Sequence, residues 1–151
     1  MNTAVLTSDA PPRPVDRLIA EYGDSHQNMT NRIIHWFCVP LITWSTLGLM
    51  YVAHPWLAYG FCILAMIYYL RLSLPLAIGM ALFASGSLYS FAYVPQLLWV
   101  CLAVWVTAWI VQFVGHKIEG KKPSFLKDVF FLLIGPIYLL HFIYKHLGIK
   151  Y

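Results

Sequence analysis

Tyr22-x3-His26-x-Asn28-x2-Asn31-x3-His35 and Gln112-x2-Gly115-His116-x2-Glu119-x3-Pro123 are two small polar clusters at the edges of long apolar runs. Imidazole, carboxamide and carboxylate groups are costly near hydrocarbon, so several of them together suggest a ligand or a metal. On a helix, positions i+3, i+4 and i+7 share a face. Asn28, Asn31 and His35 have that spacing, and so do Gln112, His116 and Glu119, so each set is expected to form one polar stripe. His26 does not fit the first stripe. Nine positions of unbroken helix would carry it about 13.5 Å from His35, too far for two nitrogens each about 2.0–2.1 Å from one ion. Either the chain turns between Gly23 and Asn28, for which GDSHQN has suitable turn and capping residues, or His26 and His35 serve different centres. A three-histidine set, with or without Glu119, suits a divalent transition metal, and Asn31 and Gln112 could orient imidazoles from behind. Taken singly, each polar residue could equally satisfy helix-end backbone or water.

The elements that must position these groups are membrane helices. The chain has 151 residues, 60% hydrophobic, 17% aromatic and only 11% charged, against about 25% charged in soluble domains. Its composition is that of an all-α integral membrane protein. Prolines at 55, 75, 95 and 123 punctuate four apolar runs, giving expected spans at Ile33–Val52, Trp56–Leu72, Leu74–Tyr93 and Leu97–Val114. Residues 1–14 read as a disordered tail without signal-peptide character, and residues 15–151 as one membrane-embedded helical domain. Val15–Tyr22 reads as a short amphipathic helix opened by Pro14 and closed by Gly23. The apolar stretch Val129–Tyr144 contains Gly135-Pro136, which predicts either a marginal helix or a re-entrant hairpin broken there. Pro40 is expected to kink the first span.

Charge gives the orientation. Arg13, Arg17 and Arg32 precede the first span, Arg71 lies between the second and third, and Lys117, Lys121, Lys122 and Lys127 follow the fourth. The connections at His54-Pro55 and Val94-Pro95 carry neither Lys nor Arg. By the positive-inside rule, His35 and His116 then share the cytoplasmic end of the bundle. The net charge of +4 is spread near helix ends rather than gathered into a nucleic-acid footprint, so no such partner is expected. Cys38, Cys62 and Cys101 show no pairing or metal-binding spacing and read as small buried hydrophobes. The small residues of the third span, Ala77 to Ser87, suit close helix packing.

The blocks YGDSHQNMTNRIIHWFCVP, Tyr22–Pro40, and WIVQFVGHKIEGKKPSFL, Trp109–Leu126, resemble the membrane 2-hydroxy fatty acid dioxygenases, known from the fungal enzyme of phytosphingosine breakdown. The resemblance implies an Fe(2+)-dependent, O2-consuming α-oxidation that shortens a long-chain 2-hydroxy fatty acid by one carbon. It assigns the iron to His26, His35 and His116. Glu119, Asn31 and Gln112 are the expected auxiliary catalytic residues. The family pattern has an acidic residue in the apolar tail after its proline, where this chain has His141 and Phe142. Two other readings compete: a b-type haem electron carrier ligated by His35 and His116, and a non-enzymatic scaffold whose polar stripes only lock helices together.

Overall fold

The computed structural model describes residues 12–120 and 125–151, and the side chains outside 121–130. Of the expected tail, residues 1–11 fall outside the described part, as do Lys121, Lys122 and Pro123. Six helices and no strand occur among the described residues: α1 Pro14–Asp24, α2 Met29–Ala53, α3 Pro55–Leu72, α4 Leu74–Phe91, α5 Leu97–Glu119 and α6 Phe125–Leu147. Local chemistry explains most boundaries. Proline opens the first turn of α1, α3 and α4, where its missing amide hydrogen costs nothing. Asn28 Oδ1 caps α2 by accepting from the amides of Thr30 at 2.9 Å and Asn31 at 3.4 Å. His54 plays the same part for α3, its Nδ1 accepting from the Trp56 amide at 3.3 Å.

Helices α2 to α5 are each long and apolar enough to cross a bilayer, which matches the four expected spans. Their outward faces remain apolar: Ile33, Phe37, Leu41, Ile63, Leu64, Ile110 and Val114 are all exposed. So much uncovered hydrocarbon fits a membrane protein. Both internal prolines are accommodated within helices. Pro40 lies inside α2, and α6 runs unbroken through Gly135-Pro136, so the hairpin does not form. Proline removes one amide donor, whereas a break in apolar surroundings would strand several backbone groups. The described apolar part of α6, Phe131–Leu147, is shorter than the four spans.

Helix α2 is the centre of the bundle and packs antiparallel against α5. Near one end Gly48 lies against Cys101, further along Trp105 Nε1 donates to Thr46 Oγ1 at 3.1 Å, and near the other end Gly115 lies beneath Asn31. This pairing places the beginning of α2 beside the end of α5, as the charge alternation requires. Helix α1 is held from outside the spans. Its buried residues Val15, Ile19 and Tyr22, spaced four and three apart, pack into one apolar cluster with Ile134, Ile137 and Tyr138 of α6. Helix α6 in turn leans on α4, where Tyr144 donates to the Pro75 carbonyl at 2.7 Å.

Candidate metal centre

The chain turns between α1 and α2, and the turn brings His26 to His35. Helix α1 ends at Asp24, the Ser25 amide bonds to Tyr22 O at 3.2 Å, and the His26 amide bonds to Gly23 O at 3.0 Å. Gln27 Nε2 fastens the same turn to Gly23 O at 2.9 Å. The His26 ring is thereby stacked on Tyr22, with centroids 4.2 Å apart and planes 14° from parallel. From the other side of the chamber, α5 supplies His116. The three imidazoles are 3, 2 and 6% exposed for His26, His35 and His116, and one nitrogen of each lies within 4.8 Å of the others.

The hydrogen bonds settle which nitrogens face inward. His26 Nδ1 lies 2.7 Å from Tyr22 O, and His35 Nδ1 lies 2.9 Å from Asn31 O. A carbonyl oxygen only accepts, so both Nδ1 atoms carry hydrogen. In the neutral rings both Nε2 atoms are then bare lone pairs, and they face each other at 3.1 Å. Such an arrangement is repulsive unless a cation lies between them. The separation suits two neighbouring nitrogens bound at about 2.0–2.1 Å to one ion. Carbonyl bonds behind each ring are the usual device for fixing a metal-binding tautomer. On the chemistry of its donors, the triad could hold a metal ion.

The other expected site residues divide. Glu119 is not one of the converging nitrogens' companions: its Oε1 accepts from the Gln27 amide at 2.8 Å, and its Oε2 accepts from the Asn28 amide at 2.9 Å and Asn31 Nδ2 at 3.1 Å. Its carboxylate therefore binds the amino end of α2 from the last turn of α5, where a negative charge is favoured. Asn28 departs from the expected stripe. It lies before the helix as its cap, because its short side chain bonds local amides better than it would serve inside the first turn. Asn31 is fully buried against Gly115, and its Oδ1 has no hydrogen-bond partner among the described residues. Gln112 lines the chamber beside the imidazoles, and its Oε1 is likewise buried without a partner.

Tyr22, Trp109, Val39, Ile42, Phe131 and Leu132 complete the chamber, a space of about 10 Å³, close to the minimum for one water. Tyr22 was visible in sequence as the residue four before His26, one helical turn away. Phe131 and Leu132 carried no such signal. The remaining histidines lie elsewhere: His54 caps α3 at the opposite end of the bundle, His141 bonds through Nδ1 to the Tyr151 hydroxyl, and His146 is exposed.

A family model described as 2-hydroxy-palmitic acid dioxygenase Mpo1-like matches residues 13–147. The chain belongs to that family. The matched range takes in all six helices and the whole histidine triad, well beyond the two blocks that first carried the resemblance. No curated protein and no solved structure matches the chain.

Proposed function

We propose that the chain is an Fe(2+)-dependent dioxygenase that shortens long-chain 2-hydroxy fatty acids by one carbon with O2 as the oxidant. The observation that carries this reading is the convergence of His26, His35 and His116, with two of the rings held by carbonyls so that their bare nitrogens face one another. Family membership supplies the substrate class. Ferrous iron bound there would supply oxygen activation next to the α-carbon, leaving the histidines neutral donors and open positions for substrate oxygens.

The protein's own residues prepare the site. Trp109, Phe131 and Tyr22 wall the chamber with aromatic surface and exclude bulk water. Among the described residues Gln112 is the one carboxamide lining it and its Oε1 has no partner, which makes it the group suited to orient a 2-hydroxyl or carboxyl hydrogen. Asn31 and Glu119 touch no chamber space and act by fixing α2 against α5 and the His26 turn, as positioning residues. The triad sits at the end of the bundle that carries Arg13, Arg17, Arg32 and Lys117, which supports a cytoplasmic-facing site. An amphiphile there can keep its chain in the apolar phase while its polar head meets the histidines.

The spacing disfavours the haem alternative. The His35 and His116 ring centroids are 5.1 Å apart, and the chamber has no room for a porphyrin between them.

Metal analysis of purified protein is the primary test. One iron per chain is expected, lost in each of His26→Ala, His35→Ala and His116→Ala, together with formation of the one-carbon-shorter acid from 2-hydroxypalmitic acid under O2. Unchanged metal content in all three variants would overturn the assignment.

A further inference from the structure

A second cavity, of about 40 Å³, lies deeper in the bundle between α2, α3, α4 and α6. Leu132 borders both this cavity and the histidine chamber, so the two spaces share a wall residue. On its far side Cys62, Met66 and Ala84 also line a groove of about 280 Å³ between α3 and α4 that opens toward lipid. The three spaces lie in series. Along α2 the walls of the chamber and the inner cavity step from His35 through Val39 and Ile42 to Thr46, one face of the helix. That path takes eleven residue steps, about 16 Å of axial rise.

The inner cavity offers hydrocarbon despite three hydroxyl-bearing residues in its wall. Thr43 donates to Val39 O at 2.8 Å, Thr46 accepts from Trp105 Nε1 at 3.1 Å, and Tyr69 donates to Leu133 O at 2.8 Å. With those hydroxyls engaged, water gains little there and methylene groups lose nothing. The cavity is smaller than the roughly 150 Å³ that admits benzene, so a chain enters by displacing side chains. Met66 and Met80, both in the wall, are the flexible thioethers suited to give way. An isolated gap of this size would be ordinary packing. Alignment with a polar chamber at one end and the lipid phase at the other sets it apart.

We infer that this cavity is the acyl-tail slot of an amphiphile whose polar head lies at His26, His35 and His116, the tail entering sideways from the bilayer between α3 and α4 and passing Leu132. The inference rests on the reading of the triad as the reaction centre. The occupant is an unbranched acyl chain, because a cavity of about 40 Å³ that widens only by side-chain displacement suits a slender flexible chain better than a rigid ring system.

Cys62, at the junction of slot and groove, reports occupancy through its rate of labelling by a maleimide, read peptide by peptide; buried Cys38 and Cys101 serve as controls for intact folding. At ten times its Kd, 2-hydroxypalmitic acid should slow Cys62 labelling about tenfold, while 2-hydroxybutyric acid, which has the head without the tail, leaves the rate unchanged. Met80→Trp, in the wall of the inner cavity and away from the histidine chamber, should abolish the protection and retain bound iron. Ala84→Met, a milder change on the outer wall, should shift protection to shorter chains. Unaltered Cys62 labelling with an acid that the protein turns over overturns the slot and leaves the dioxygenase reading intact. Length-dependent protection in protein that binds no iron and turns nothing over upholds the slot and removes the enzymatic reading.

Discussion

Glu119 and Asn31, 88 residues apart in the chain, meet at 3.1 Å through a carboxylate–carboxamide hydrogen bond that closes the last turn of α5 onto the first turn of α2. The same carboxylate holds the amides of Gln27 and Asn28, immediately after His26. One side chain thus fixes both the helix that carries His35 and the turn that carries His26.

Glu119→Gln should therefore act through geometry. The substitution turns an amide donor toward groups that already donate, and the lost charge-assisted bonds should cost about 1–2 kcal/mol at this half-buried position. Thermal unfolding should show that loss. Iron affinity should fall while the stoichiometry at saturating iron remains one; a stoichiometric loss of iron at saturation would instead mark Glu119 as a ligand.

Gly115 is required by the closeness of α5 to Asn31. A Cβ there would collide with Asn31 Oδ1 and press on Ile34. Gly115→Ala should destabilise by about 1–3 kcal/mol, the range for overpacking, and weaken iron binding. In a double-mutant cycle, Asn31→Ala in the Gly115→Ala background should recover part of that stability, and strict additivity would show that the two residues do not press on one another.

Substitution of Gln112 should separate stability from activity. Its buried Oε1 has no partner among the described residues, so replacing the carboxamide with the similarly sized leucine side chain in Gln112→Leu should leave the unfolding temperature unchanged or raised. Turnover of 2-hydroxypalmitic acid should fall sharply. A variant that unfolds earlier yet turns over normally would show Gln112 to be structural.

Helix α1 should loosen in acid. Arg13 donates to the Asp16 carboxylate at 2.8 and 2.9 Å and holds it below its ordinary value of 3.8. A carboxyl depressed in the folded state stabilises above its unfolded value and loses that contribution as pH falls through the folded one. The window is thus below about pH 4, and the amplitude, at an exposed pair, is under about 0.5 kcal/mol. Hydrogen exchange of α1 amides between pH 5 and 3 should reveal the change, and Asp16→Asn should flatten it.

Much of this arrangement was legible in the chain. Prolines and apolar run lengths located the four spans, and the placement of Arg and Lys put His35 and His116 at one end because both follow from bilayer energetics rather than from particular neighbours. The turn that admits His26 was foreseen as one of two options, since a sequence rich in turn formers permits a turn without requiring it. Asn28 was misplaced because helix periodicity does not distinguish the first helical residue from the cap before it. Glu119 and Gln112 share a stripe by spacing, yet one bonds backbone amides and the other lines the chamber; only their partners, brought in by folding, tell them apart. Gly135-Pro136 suggested a break, whereas the structure places Gly135 where α6 passes close over Val39 and Tyr22. Phe131 and Leu132 were invisible as chamber residues because their place depends on where α6 docks. Asn28, Asn31 and Glu119 bond helix ends, the packing role that polar stripes can play whether or not a ligand is bound.

The triad draws on the turn after α1, on α2 and on α5, and His116 is the last of the three to be synthesised. No portion of the chain ending before α5 contains the three nitrogens, and any insertion error that inverts a single span would leave His116 on the far side of the bilayer from its partners. On the proposed reading, iron occupancy would record correct membrane threading: metal could be held only once α2 to α5 had crossed in the right directions and the turn after α1 had brought His26 to His35.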